Sequence, residues 1–134
     1  MNCKIKEIQW IIYHIVNRTI YNKQSMSGYY APESIQKEGF IHCSYSYQIC
    51  DIANEFYKSE EDLILLQIDK SLIQCEIIDE DTDNRNENFP HIYGELPTSS
   101  VIGQYLLKKD SNGNYILPVE FPELTTDNFC SVGS

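Results

Sequence analysis

The segment Leu63–Ile68, Leu-Ile-Leu-Leu-Gln-Ile, constrains this chain most. It is apolar at all but one position and too short for a buried helix. A strand with apolar side chains on both sides needs cover on both faces, so it reads as a central strand. Gln9–Val16, Gln-Trp-Ile-Ile-Tyr-His-Ile-Val, is similarly rich in β-branched and aromatic residues and reads as a second buried strand. A chain of 134 residues, 42% of them hydrophobic, suits one domain around such a centre.

The other segments are short. Asn17 caps a helix running to about Met26, with Gly28 at its end. Pro32–Glu38 is a second helix, stopped by Gly39. Phe40–Ser44 is a strand. Ser46–Tyr57 is a helix with Ile49, Ile52, Ala53 and Phe56 on one face. Asp69 caps a single turn and Cys75–Ile78 is a strand. Asp79–Asn88 is polar throughout and reads as a mobile loop. Phe89–Leu96 is strand-like, Pro97–Ser100 turns, and Val101–Lys108 is a strand. Asp110–Asn114 then forms a hairpin loop before Tyr115–Leu117. Helices this short do not suit a doubly wound sheet. The pattern predicts an α+β fold with a split, mixed or antiparallel sheet over residues 10–117, flanked by an extension (1–9) and a tail (118–134).

Ten basic and twenty acidic side chains give a formal charge of -10. That charge repels nucleic-acid backbones and anionic lipid at long range, while leaving room for a small ligand held by local donors. No apolar run approaches the length of a membrane span, and no secretory signal is evident, so the expected location is the cytoplasm. The five cysteines form no CxxC pair, which predicts reduced thiols and neither a disulfide framework nor a zinc site. The three histidines also lack metal-ligand spacing, and no metal is expected. Nothing in the sequence indicates an oligomeric state.

An imidazole within an apolar strand must find a hydrogen-bond partner. His14 and His42 lie in separate apolar strands, so a shared cleft between them is the leading expectation. Histidine there suits acid–base chemistry near neutral pH. Ser44 and Ser46 follow His42, and Ser46 at a helix start could favour an anionic group. Cys43 alternates away from His42 and is read as structural. Arg18 follows the first strand and is a candidate phosphate partner. Glu95, after Tyr93-Gly94, is a candidate carboxylate for a ribose hydroxyl or for base catalysis.

The segments IIYHIV, EGFIHCS, DLILLQID and FPHIYGELP follow one another as in the bacterial family called domain of unknown function 952. The resemblance spans about Trp10 to Leu107. That family resembles the ADP-ribosyltransferase-like fold, in the branch near the RNA 2'-phosphotransferases. The resemblance implies that His14 and His42 line a cleft for the ribose and nicotinamide of NAD. It places Arg18, Ser44, His91 and Tyr93 on or beside ligand-binding positions, and leaves Glu95 as either the acidic third member or a surface turn residue. The phosphotransferases surround their histidines with several arginines, and this chain does not. The implied function is a transferase binding NAD or an ADP-ribose- or nucleotide-like ligand, with glycosyl or phosphoryl transfer. A non-catalytic small-molecule module and a protein-interaction domain remain alternatives.

Overall fold

A computed structural model describes residues 10–118. The first strand, β1 (Ile11–Asn17), leads into helix α1 (Arg18–Gln24), where the Asn17 side chain accepts from the Ile20 amide at 3.0 Å. The short β2 (Tyr29–Tyr30), α2 (Ser34–Glu38) and β3 (Ile41–His42) follow. Gly39 closes α2 at φ 93°, a left-handed backbone that glycine adopts without strain. A 3-10 turn at Ser46–Gln48 precedes α3 (Ile49–Phe56). The remaining strands are β4 (Leu63–Asp69), β5 (Glu76–Glu80), β6 (Phe89–Tyr93), β7 (Leu96–Pro97), β8 (Val101–Leu106), β9 (Lys108–Lys109) and β10 (Tyr115–Ile116).

Two three-stranded sheets dominate, in the orders β1-β4-β8 and β3-β6-β5. Every strand pair among the described residues is antiparallel, so the split sheet has no mixed character. The sheets are joined where Tyr13 and Ser44 exchange backbone hydrogen bonds of 2.8 Å each way.

As expected of its sequence, β4 is central and buried on both faces. Ile64, Leu66 and Ile68 pack with Ile12, Val16, Ile41 and Ile92, while Leu63 and Leu65 pack with Tyr13, Ile15, Ile49 and Ala53. Alternation along β1 therefore assigns His14 to the first face and Tyr13 and Ile15 to the second.

Some elements differ from the sequence expectation. Strand β5 runs on to Glu80, because pairing with β6 (Asp79 opposite Pro90, Glu80 opposite Phe89) outweighs the polarity of its last residues. The region 89–96 splits into β6 and β7. Ser46 does not cap the following helical turn. The Gln48 side chain does so instead, accepting from the Tyr45 amide at 2.9 Å. Cys43 and Cys75 are free thiols, but Cys50 is disulfide-bonded, against the expectation of reduced cysteines throughout. Residue spacing cannot show such a pairing, which depends on tertiary proximity. No described helix is long and apolar enough to cross a membrane. The expected extension and all of the tail except Pro118 lie outside the described residues.

Candidate active site

A cavity of about 320 Å³ opens where the two sheets meet α3 and the loop after β5. Strand β1 contributes Tyr13 and Ile15, and α3 with its end contributes Ile52, Phe56 and Tyr57. His42, Cys43 and Ser44 form one side, with Phe89 and His91 of β6 beside them. Asp81, Thr82, Asp83 and Arg85 close the rim.

The pair of imidazoles at this cavity is His42 and His91. Antiparallel register sets them directly opposite each other on β3 and β6, and their ring centroids are 5.2 Å apart. Phe40 stacks on His91 at 4.0 Å and meets His42 edge-on at 4.8 Å. Each ring also has its own carboxylate. His42 Nε2 lies 2.8 Å from Glu38 Oε1, and His91 Nδ1 lies 2.9 Å from Glu80 Oε2. An ionised carboxylate can only accept, so these nitrogens carry the protons. Nδ1 of His42 and Nε2 of His91 are then the acceptors in the neutral rings. Glu80 also accepts from the Tyr93 hydroxyl, and these two bonds, Tyr93's first, hold its carboxyl below the ordinary range.

His14 does not line this cavity. It is 8% exposed and lies on the opposite face of β1. Its Nδ1 donates to the His42 carbonyl at 2.6 Å, and its Nε2 accepts from the Tyr30 hydroxyl at 2.8 Å. Burial pushes this imidazole down to about 4, so it stays neutral at physiological pH. The expected meeting of His14 and His42 at one hollow is thus replaced by a backbone link: His14 holds the strand that presents His42.

The other expected site residues separate by position. Ser44 and His91 reach the cavity. Tyr93 lies one step further along β6, against Phe40 and Glu80 rather than in the lining. Arg18 lies outside the lining, paired with Asp62 on the exposed surface at the start of α1. Glu95 is exposed in the turn between β6 and β7, also outside it. Cys43 is buried, and burial pushes its thiol well above the ordinary range, which suits packing rather than nucleophilic attack.

Several lining residues escaped the sequence reading. Arg85, expected to sit in a mobile loop, is fixed at the rim. Its Nη1 and Nη2 reach Glu55 at 2.7 and 2.5 Å, and its guanidinium lies 5.2 Å from the Phe56 ring and 5.9 Å from Phe89. Glu80 carried no signal as a histidine partner. One clue was present in α2: Glu38 stands four residues before His42.

Residues 15–104 match the family described as "Protein of unknown function (DUF952)". The fold resembles the crystal structure of protein CC0527 from Caulobacter crescentus, with a TM-score of 0.69 at 24% identity over 78% of this chain and 92% of that one. The solution structure of CC0527 gives 0.67 at 25% identity, covering 78% and 90%. No curated protein matches the chain.

Proposed function

The chain belongs to the DUF952 family of proteins of unknown function, and from that premise we propose that its cavity binds a ribosylated ring ligand of the NAD or nucleotide type and catalyses glycosyl transfer. The observation that carries this reading is the pair of imidazoles on one cavity, each held by a carboxylate. A histidine oriented through one nitrogen by a carboxylate presents the other as a general base. The two packed antiparallel sheets with short helices support reading the fold as ADP-ribosyltransferase-like.

In this mechanism the aromatic wall receives the base of the ligand and His42 hydrogen-bonds a sugar hydroxyl. The N-glycosidic bond breaks and its electron pair leaves with the base. The anomeric carbon develops oxocarbenium character, which the nearby carboxylates stabilise. An acceptor hydroxyl attacks that carbon, and His91 Nε2 takes the hydroxyl proton. Glu80 stabilises the imidazolium that results. Phosphoryl transfer is less well supported, because Arg85, the guanidinium at the rim, is already committed to Glu55.

The test is a thermal-shift screen with NAD, ADP-ribose, nucleotides and phosphorylated sugars, followed by product analysis on any hit. A ligand that stabilises the protein should be turned over by the parent chain. The His91→Gln variant should lose at least about 100-fold in rate, the ordinary contribution of a general base. Stabilisation without product would leave a binding module and remove the catalytic part of the reading. No stabilisation by any member of the screen would overturn it entirely.

A further inference from the structure

We infer that Tyr93 is a positioning residue: its hydroxyl fixes the Glu80 carboxylate against Nδ1 of His91, so that Nε2 of His91 is left without a proton and can serve as the base. This rests on the reading of His91 as the base and names the residue that keeps it one.

Strand register brings the three groups together. Ile78 stands opposite His91, Glu80 opposite Phe89 and Glu76 opposite Tyr93. Alternate residues share a sheet face, so Glu80 and Tyr93 lie on the same face, one on each side of His91. Their side chains meet across it. Glu80 Oε2 accepts from the Tyr93 hydroxyl and, at 2.9 Å, from His91 Nδ1. Among the described residues the Glu80 carboxylate has no other donor. Phe40 covers the group, stacked on His91 at 4.0 Å and tilted against the Tyr93 ring at 5.3 Å. Tyr93 itself lies outside the cavity lining, so it acts on a ligand only through Glu80 and His91.

The protons in this group have one arrangement near neutral pH. The bond to Glu80 pushes the Tyr93 phenol up to about 12, so the hydroxyl always donates. The Glu80 carboxyl is held below its ordinary range, so the carboxylate always accepts. The tautomer of an imidazole is set by the bond its other nitrogen makes, and here that bond requires the proton on Nδ1. A free imidazole favours Nε2 instead. The Glu80 side chain is 26% exposed, and without the Tyr93 hydroxyl it could turn to water and release the ring to that tautomer. The neighbouring pair has no such lock. His42 and Glu38 are 41% and 46% exposed, and among the described residues Glu38 accepts only from His42. The geometry thus separates a held base, His91, from a more loosely held sugar contact, His42.

Long-range proton–nitrogen NMR on the histidine-labelled full chain at pH 7 tests the inference, and it needs no ligand. In the parent chain His91 should carry its proton on Nδ1 and show a bare Nε2. Tyr93→Phe should move His91 towards a mixture of both tautomers and leave His14 unchanged. Glu80→Gln should move it the same way, and adding Tyr93→Phe to Glu80→Gln should change it no further, because the hydroxyl acts through the carboxylate. With a ligand that the screen shows to be turned over, Tyr93→Phe should lower kcat about tenfold, less than the loss expected of His91→Gln, and leave KM unchanged. If Tyr93→Phe does not fold, Glu80→Gln carries the test: it should release the Tyr93 hydroxyl proton to rapid exchange and free the His91 tautomer together. A parent His91 with its proton on Nε2, or a tautomer that ignores these substitutions, would overturn the inference, even beside a ligand that is turned over. The expected response in a chain that turns nothing over would keep this arrangement and remove only the catalytic reading.

Discussion

His14 shows how one polar side chain can be fully used inside a core. Its two nitrogens have opposite roles: one donates to a carbonyl and the other accepts from a hydroxyl. The His42 carbonyl can only accept, so Nδ1 carries a proton, and in the neutral ring that burial favours Nε2 is left to accept from the Tyr30 hydroxyl. The consequence for stability has a definite sign. The folded imidazole titrates near 4 and the unfolded one near 6.5, so between those values the unfolded chain binds more protons. Stability from this group is complete above about pH 6.5 and is lost as pH falls towards 4. The full loss is on the order of 3 kcal/mol, from 1.36 kcal/mol for each pH unit. Urea melts at pH 7 and pH 4.5 should show this decline in the parent chain. The His14→Gln variant should be less stable at pH 7 and have a flatter pH dependence. An equal slope in both would mean that His14 is not the titrating group.

At the scale of elements, the segment after β5 decides the shape of the cavity. Its composition is that of a solvated loop, but three sets of bonds fix it. The Asp81 carboxylate accepts from the amides of Arg85 and Asn86 at 2.9 and 2.8 Å. Gln48 Nε2 donates to Glu87 and to the Asn88 carbonyl at 2.9 and 2.8 Å. Arg85 reaches across to Glu55 of α3. Asn84 and Asn86 adopt the left-handed region at φ 56° and 60°, which asparagine tolerates better than most residues. Gln48 is 2% exposed, and one side chain serves both the turn before α3 and this loop. Gln48→Ala should therefore cost about 1–3 kcal/mol, from the loss of its hydrogen bonds to Tyr45, Glu87 and Asn88 at about 0.5–1.5 kcal/mol each. It should also raise hydrogen exchange over residues 82–88. Unchanged exchange there would show that Asp81 and Arg85 hold the loop alone.

The whole molecule is organised around β4, whose two faces serve two clusters. Leu66 belongs to the cluster with Tyr30 and Ile92, and Leu65 to the one with Ile49 and Tyr115. Both leucines are fully buried, so Leu65→Ala and Leu66→Ala should each cost about 2–5 kcal/mol. Because one strand carries both clusters, each substitution should shift a single cooperative transition in urea, followed by circular dichroism and by fluorescence. Two separated transitions would show that the clusters unfold independently.

Much of the fold was legible because local chemistry specified it. The nearly continuous apolar run of β4, the Asn17 cap, the glycine at the end of α2 and the Asp110–Asn114 turn act through neighbours in sequence, and each appears where expected. The cavity was only partly legible. His42, Ser44 and His91 were recognised by residue type, but the choice of His91 over His14 as the partner of His42 depends on strand register. Alternation turns His14 away, and antiparallel pairing brings His91 opposite. The positions of Arg85, Glu55 and Glu80 depend likewise on contacts between distant elements. The sequence by itself determined which segments must be buried, since hydrophobicity and backbone preference are properties of each residue. Only the tertiary structure decided which polar groups meet at the cavity, since hydrogen bonds and ion pairs require partners that the chain brings together only by folding.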